Sequence, residues 1–134
     1  MDNEYKEKSA ATTNGVLVSV QANYMPAQSQ PAARRYVFAY TVRIRNEGHR
    51  AVQLRSRHWI IVDSTGSTEE VRGDGVVGEQ PVIQPGSTYE YVSAAMLKTP
   101  RGTMRGSYQM TTWTGKSFDA VIAPFLLAMP FSMN

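Results

Sequence analysis

Apolar and polar residues alternate along most of this chain. Val16, Val18, Val20, Ala22 and Tyr24 take turns with Leu17, Ser19, Gln21 and Asn23, the period of two that marks a strand with one buried face. Met25 to Ala33, which holds Pro26 and Pro31, reads as a loop. Tyr36, Phe38, Tyr40, Val42 and Ile44 then form an inward row opposite Val37, Ala39, Thr41, Arg43 and Arg45. After the turn residues Asn46-Glu47-Gly48-His49, a third strand runs from Val52 to Asp63, rich in β-branched and aromatic side chains. Its phase changes midway, because Leu54 and Ile60 point one way while Trp59 and Ile61 point the other. Either a bulge or burial on both faces accounts for that.

Ser64-Thr65-Gly66-Ser67 closes a hairpin into a short strand at Thr68 to Arg72. Gln84-Pro85-Gly86 is a turn, followed by a strand through Tyr89, Tyr91 and Ser93. Thr99-Pro100-Arg101-Gly102 breaks the chain before Met104, Tyr108 and Met110 resume the alternation, and Thr114-Gly115-Lys116 leads into a last strand from Ser117 to about Ala123. No segment has a 3.6-residue apolar period. Seven short strands separated by Gly, Pro and Asn turns predict an all-β fold: an immunoglobulin-like or fibronectin type III-like two-sheet antiparallel sandwich, with a partly open barrel as the alternative. Residues 1–14, without periodicity, read as a flexible N-terminal tail, and 15–134 as the domain. The apolar stretch 124–134, with Pro124 and Pro130, is expected to run irregularly across the domain and, if uncovered, to form a contact surface around Phe125 to Phe131.

A length of 134 residues suits one core. The absence of cysteine removes disulfides, thiolate metal sites and a cysteine nucleophile. The opening Met1-Asp2-Asn3-Glu4-Tyr5-Lys6 lacks the basic and apolar segments of a secretion signal, and no apolar run approaches the ~20 residues of a membrane span. These features point to a cytoplasmic protein without membrane insertion. The formal charge of +3 is too small to imply nucleic acid. Seven arginines (Arg34, Arg35, Arg43, Arg45, Arg50, Arg55, Arg57) nonetheless fall in one stretch with a single acid, Glu47. They are either solvent-facing positions of two strands or a surface for an anionic partner.

Gly73-Asp74-Gly75-Val76-Val77-Gly78 matches the G-x-G-x-x-G pattern of dinucleotide-binding loops. In those folds the pattern opens a helix whose N–H groups meet the pyrophosphate. Here Pro81 and Pro85 exclude a long helix, so the dinucleotide fold fails. A weaker version survives, an anion nest of N–H groups beside Arg72; alternatively, the glycines serve a tight connection. His49 and His58 are too few for a zinc site. Ser56-Arg57-His58-Trp59 offers a polar pocket at Arg57 and His58, or a hydrogen-bonded core histidine. Glu69, Glu70 and Asp74 make either a loose, water-mediated Mg²⁺ site or a solvated acidic edge. No catalytic set stands out: the four lysines follow no glycine loop and G-x-S-x-G is missing. No metal site and no cofactor is therefore expected.

Three long strings carry a resemblance: Val52-Gln53-Leu54-Arg55-Ser56-Arg57-His58-Trp59-Ile60-Ile61, then Glu70 through Pro81, then Thr99-Pro100-Arg101-Gly102-Thr103-Met104-Arg105-Gly106-Ser107-Tyr108-Gln109-Met110. Together they closely resemble the bacterial ApaG family, with the likeness running from about Gly15 to Pro130. The resemblance implies a fibronectin III-like or immunoglobulin-like sandwich and no defined activity. It also implies an association with cobalt resistance and magnesium efflux, and with a neighbouring gene for a diadenosine tetraphosphate hydrolase. The family's suggested pyrophosphate-binding glycines would be Gly73, Gly75 and Gly78. Related domains in eukaryotic F-box proteins and in a polymerase-interacting protein suggest recognition rather than catalysis.

The expected function is a non-enzymatic binding domain with a protein partner and the capacity to form a homo-oligomer. Two alternatives stand beside it: a polyphosphate sensor built on Arg72 and the glycine loop, and a hydrolase of such ligands with Glu79 or His58 as base.

Overall fold

The computed structural model describes residues 5–130. It contains nine strands: β1 (Ser9–Thr13), β2 (Val16–Tyr24), β3 (Tyr36–Asn46), β4 (Val52–Asp63), β5 (Thr68–Asp74), β6 (Val82–Ile83), β7 (Thr88–Leu97), β8 (Arg101–Thr112) and β9 (Ser117–Ala128). Two single 3₁₀ turns, Pro26–Gln28 and Pro31–Ala33, fill the loop before β3. The strands form two antiparallel sheets, one ordered β1-β2-β3-β7 and the other β5-β4-β8-β9, with β6 also paired to β4. Without β1 and β6, the seven strands legible in the sequence form a three-on-four sandwich of the expected immunoglobulin-like and fibronectin type III-like class.

The alternating rows explain the packing. Val18 sits beside Ile44, and Val20, Val42 and Tyr91 form a rung across the first sheet. Leu54, Trp59, Met104, Tyr108, Met110, Ile122 and Leu127 face them from the second. Each fully buried aliphatic or aromatic side chain of this kind contributes about 1.5–3 kcal/mol. Trp59 stands edge-on to Tyr40, Tyr108 and Phe125, with ring centroids 5.3, 6.2 and 6.0 Å away.

Three features differ from the sequence expectation. Residues 9–13 are not tail but β1, which pairs with β2 and lies against β9. Residues 1–4 lie outside the described residues. The second difference is that β9 continues through Pro124 to Ala128 instead of ending near Ala123. The register with β8 slips there, Met104 facing Phe125 while Gly106 faces Ile122, so Ala123 and Pro124 together oppose Arg105. A bulge needs no ladder donor at the extra residue, which is why proline is tolerated. It also flips the phase, burying Phe125 and Leu127. The expected contact surface at Phe125 to Phe131 is thus divided, with Phe125 and Leu127 in the core and Leu126 45% exposed; Phe131 itself lies outside the described residues. The third is β6, too short to show a period. In β4, a register shift between Leu54 and Ser56 marks the bulge that explains its mixed phase.

Candidate functional site

The bulge at Arg55 decides what β4 presents. Beyond it Trp59 turns inward, so His58 turns outward: it is not a core histidine. Antiparallel pairing sets His58 beside Arg72 of β5 and Ser107 of β8, and Ser56 beside Asp74 and Gln109. The small side chains on the central strands leave an open trough of about 470 Å³, lined by Ser56, Arg57, His58, Arg72, Gly73 and Gln109, with Asp74 and Asp119 at its flanks. Four of the residues singled out in the sequence, Arg57, His58, Arg72 and Gly73, therefore meet. Ser56 Oγ donates to Gln109 Oε1 (2.8 Å), and Gln109 Nε2 donates to Ser107 Oγ (2.9 Å). His58 Nε2 lies 2.9 Å from Glu70 Oε1, and that hydrogen bond is the leading reason the Glu70 carboxyl titrates below its usual range. Arg72 is 3.5 Å from the same oxygen.

Gly75 and Gly78 lie beyond this trough, in a tight reversal. Val76 and Glu79 exchange backbone hydrogen bonds of 2.8 and 2.9 Å, with Val77 (φ 42°) and Gly78 (φ 82°) between them, both in the left-handed region of a type I′ turn. Glycine suits that conformation; valine is strained in it. Gly75 (φ 63°) donates its N–H to Arg55 O at 2.8 Å, and a Cβ at this position would collide with the Glu79 carbonyl oxygen. Arg57 Nη1 donates to the carbonyls of Asp74 (3.0 Å) and Gly75 (2.8 Å), and its guanidinium covers Gly73 where a Cβ would sit. The N–H groups of Gly75, Val76 and Glu79 are thus engaged within the chain, and the loop turns two carbonyls toward a cation. The Glu79 carboxylate accepts a hydrogen bond from Tyr89 (3.1 Å) and does not line the trough. Among the described residues, no group of three or more His, Asp or Glu side chains gathers as a metal set.

The arginine-rich stretch is dispersed by the strands that carry it. Arg43 pairs with Glu90 (2.7 Å), Arg45 reaches Glu47 and Thr88, and Arg55 bonds Gln53. Arg35 bonds the Met96 sulfur. Arg50 differs. In the β3–β4 loop, its guanidinium lies 4.8 Å from the ring centroid of Trp113, at the tip of the β8–β9 turn.

Trp113, which the sequence reading did not single out, is 63% exposed. It forms a ridge between two concavities. One, about 370 Å³, is walled by Asn14, Asn46, His49, Arg50, Lys116 and Phe118; the other, about 160 Å³, includes Val52, Gln53 and Val82. Val82 is 55% exposed. No carboxylate among the described residues lines either concavity, whereas Arg50, Lys116 and His49 line the larger. Asn46 braces the loop from within: nearly fully buried, its Nδ2 donates to the carbonyls of Arg50 (2.7 Å) and Ile83 (2.9 Å), and its Oδ1 accepts from the Gly48 N–H. The available sequence signal for this end was an aromatic at the tip of a Gly-containing hairpin, Thr112-Trp113-Thr114-Gly115.

Comparison with known proteins adds the following. A family model described as the ApaG domain matches residues 26–112. The chain is 52% identical over 126 residues to the protein ApaG of Anaeromyxobacter dehalogenans, covering 94% of this chain and 99% of that one. It is 53% identical to a solved ApaA protein from Bordetella pertussis, with a TM-score of 0.84 over 87% of this chain and 95% of the other. The C-terminal domain of wzt superposes with a TM-score of 0.54 over 96% of this chain and 80% of that one, at 10% identity, a likeness of fold alone.

Proposed function

The chain belongs to the ApaG domain family, and from that premise we propose that it is a non-catalytic recognition domain which docks an acidic protein partner on the end of the sandwich that carries Trp113. The observation supporting this most is the exposed indole standing between two concavities, the larger lined by Arg50 and Lys116 and neither by a carboxylate among the described residues. Tryptophan and arginine are the side chains most enriched at binding hot spots, because one buries a large rigid surface and the other adds charge-assisted hydrogen bonds. Loops at the end of a rigid sandwich are where such contacts are readily built. Arg50 and Lys116 would speed encounter with an acidic surface, while the indole would hold the complex. Selection of random displayed peptides on the immobilised protein tests this reading. It predicts sequences enriched in Asp and Glu around an apolar anchor, whose binding is lost in Trp113→Ala. Peptides without acidic enrichment, or ones that bind Trp113→Ala equally, refute it.

A second reading keeps the trough as a site for a small anionic ligand such as a polyphosphate. Arg72, His58 and the cross-linked Ser56–Gln109–Ser107 row support it, because they fix donors on one face. Asp74 and Asp119 at its flanks weigh against a highly charged anion. Amide shifts of the trough residues Ser56, His58, Arg72, Gly73, Ser107 and Gln109 during titration with pyrophosphate, with and without Mg²⁺, decide: saturable movement there supports this reading, and none at millimolar ligand removes it.

A further inference from the structure

A sandwich must protect its sheet edges, because an open edge carries unpaired N–H and C=O groups that template pairing with another chain. Three of the four edges here are guarded. On one side of the sandwich β1 and β2 lie against β9, and the Val121 N–H donates to Thr13 Oγ1 at 3.1 Å. On the other, β5 has seven residues and exposes Glu69, Glu70, Arg72 and Asp74. The fourth edge, β7, differs. It is ten residues long, pairs only with β3 among the described strands, and shows no register shift along that ladder. Its one charged residue, Glu90, is held by Arg43 at 2.7 Å.

The Asn46 N–H donates to the Ser87 carbonyl at 3.0 Å, so odd-numbered residues of β7 point their backbone groups at β3. Thr88, Glu90, Val92, Ala94 and Met96 therefore turn theirs to the open side. Their side chains also stand on the outer face, where Val92 is 57% and Met96 43% exposed.

We infer that two copies of the chain join β7 to β7 in antiparallel fashion about a two-fold axis at Ala94, making one continuous sheet from two. In that register Ala94 faces the partner's Ala94, Val92 faces the partner's Met96, and Glu90 faces the partner's Lys98. On the inner face Tyr91 meets the partner's Leu97. Every outward apolar side chain finds an apolar mate, and the strand's only acid finds a base. Moving the axis to Ser93 puts Glu90 opposite Met96, and moving it to Val92 puts Glu90 opposite Ala94; neither brings Glu90 a second cation beside Arg43. An exposed ion pair adds little affinity, so its part is to select the register. The self-complementarity is what a two-fold interface requires, and it leaves the Trp113 end free on both copies.

The chain has no cysteine, which permits a direct test. Directly opposed residues of a hydrogen-bonded antiparallel pair have Cα atoms ~5.5 Å apart, within disulfide reach. Under mild oxidation, Ala94→Cys should cross-link quantitatively into a covalent dimer. Val92→Cys alone should not, while a mixture of Val92→Cys with Met96→Cys should give the heterodimer. Light scattering of the unmodified protein should report twice the chain mass at high concentration. Ala94→Pro, which removes an N–H that points to the open edge, should return it to the monomer mass with its circular dichroism unchanged. A monomer at all concentrations up to millimolar overturns the inference. So does a dimer that Ala94→Pro does not dissociate, or cross-linking of Val92→Cys in place of Ala94→Cys.

Discussion

Replacing Gly75 by alanine separates glycines that are needed for space from those that only permit a backbone angle. Its φ of 63° is left-handed, where an L-residue costs about 1–2 kcal/mol. The added Cβ would also run into the Glu79 carbonyl oxygen. That oxygen accepts the Val76 N–H, so moving it disturbs the reciprocal Val76–Glu79 bonds, each worth about 0.5–1.5 kcal/mol. The sum is about 2–5 kcal/mol. Gly78→Ala is the control: it shares the positive φ (82°), but its Cβ would have no atom within 4 Å, so only the conformational cost of about 1–2 kcal/mol applies. At 134 residues 1 kcal/mol moves the melting temperature by about 3.5 °C, so calorimetry should find Gly75→Ala lowered by roughly 7–18 °C and Gly78→Ala by roughly 4–7 °C. Urea midpoints should give the same order. Equal losses for the two variants would refute the close-approach argument and return both glycines to a common role.

The two tryptophans should behave oppositely. Trp59, 2% exposed, should lose about 3–5 kcal/mol on substitution by alanine, while Trp113→Ala should cost less than about 2 kcal/mol and remove nearly all fluorescence quenchable by iodide. The buried pair Tyr91 and Tyr108, joined hydroxyl to hydroxyl, should make the fold sensitive to alkali. Burial raises both phenols above the ordinary value of 10.0, so the unfolded chain loses their protons first. Their contribution is fully present below pH 10 and declines above it by up to about 1.4 kcal/mol per pH unit for each group. Urea titrations from pH 9 to pH 11.5 should show that decline, less steep in Tyr108→Phe.

Much of the fold was legible because β2, β3, β7 and β8 each bury one face, and a period of two survives in a bare sequence. What escaped has a specific cause in each case. Ser9-Ala10-Ala11-Thr12-Thr13 contains no large apolar residue, so β1 shows no buried row. In β9 the bulge at Ala123-Pro124 reverses the phase, and a proline followed by a switched pattern reads as a strand end. The same device in β4 reverses the phase before His58, so the sequence alone does not tell which face carries it. Arg57, His58, Arg72 and Gly73 could be named from local composition, and pairing of β4 with β5 brings them together. The Trp113 end could not be named, because it is made by loops far apart in sequence. Nothing in Thr112-Trp113-Thr114 tells that the indole is left outside. Nor does a run of seven arginines tell which of them find a partner and which, like Arg50, are spread over an exposed ring.

The most direct measurement of the central claim is quantitative mass spectrometry of what the immobilised chain captures from a bacterial lysate, run in parallel for the unmodified protein, Trp113→Ala, Arg50→Ala with Lys116→Ala, and His58→Ala. A recognition domain working through the Trp113 end predicts a small set of acidic proteins, depleted at least tenfold by the first two variants and retained by His58→Ala. Capture unaffected by Trp113→Ala, or lost only in His58→Ala, would contradict the account and move recognition to the trough.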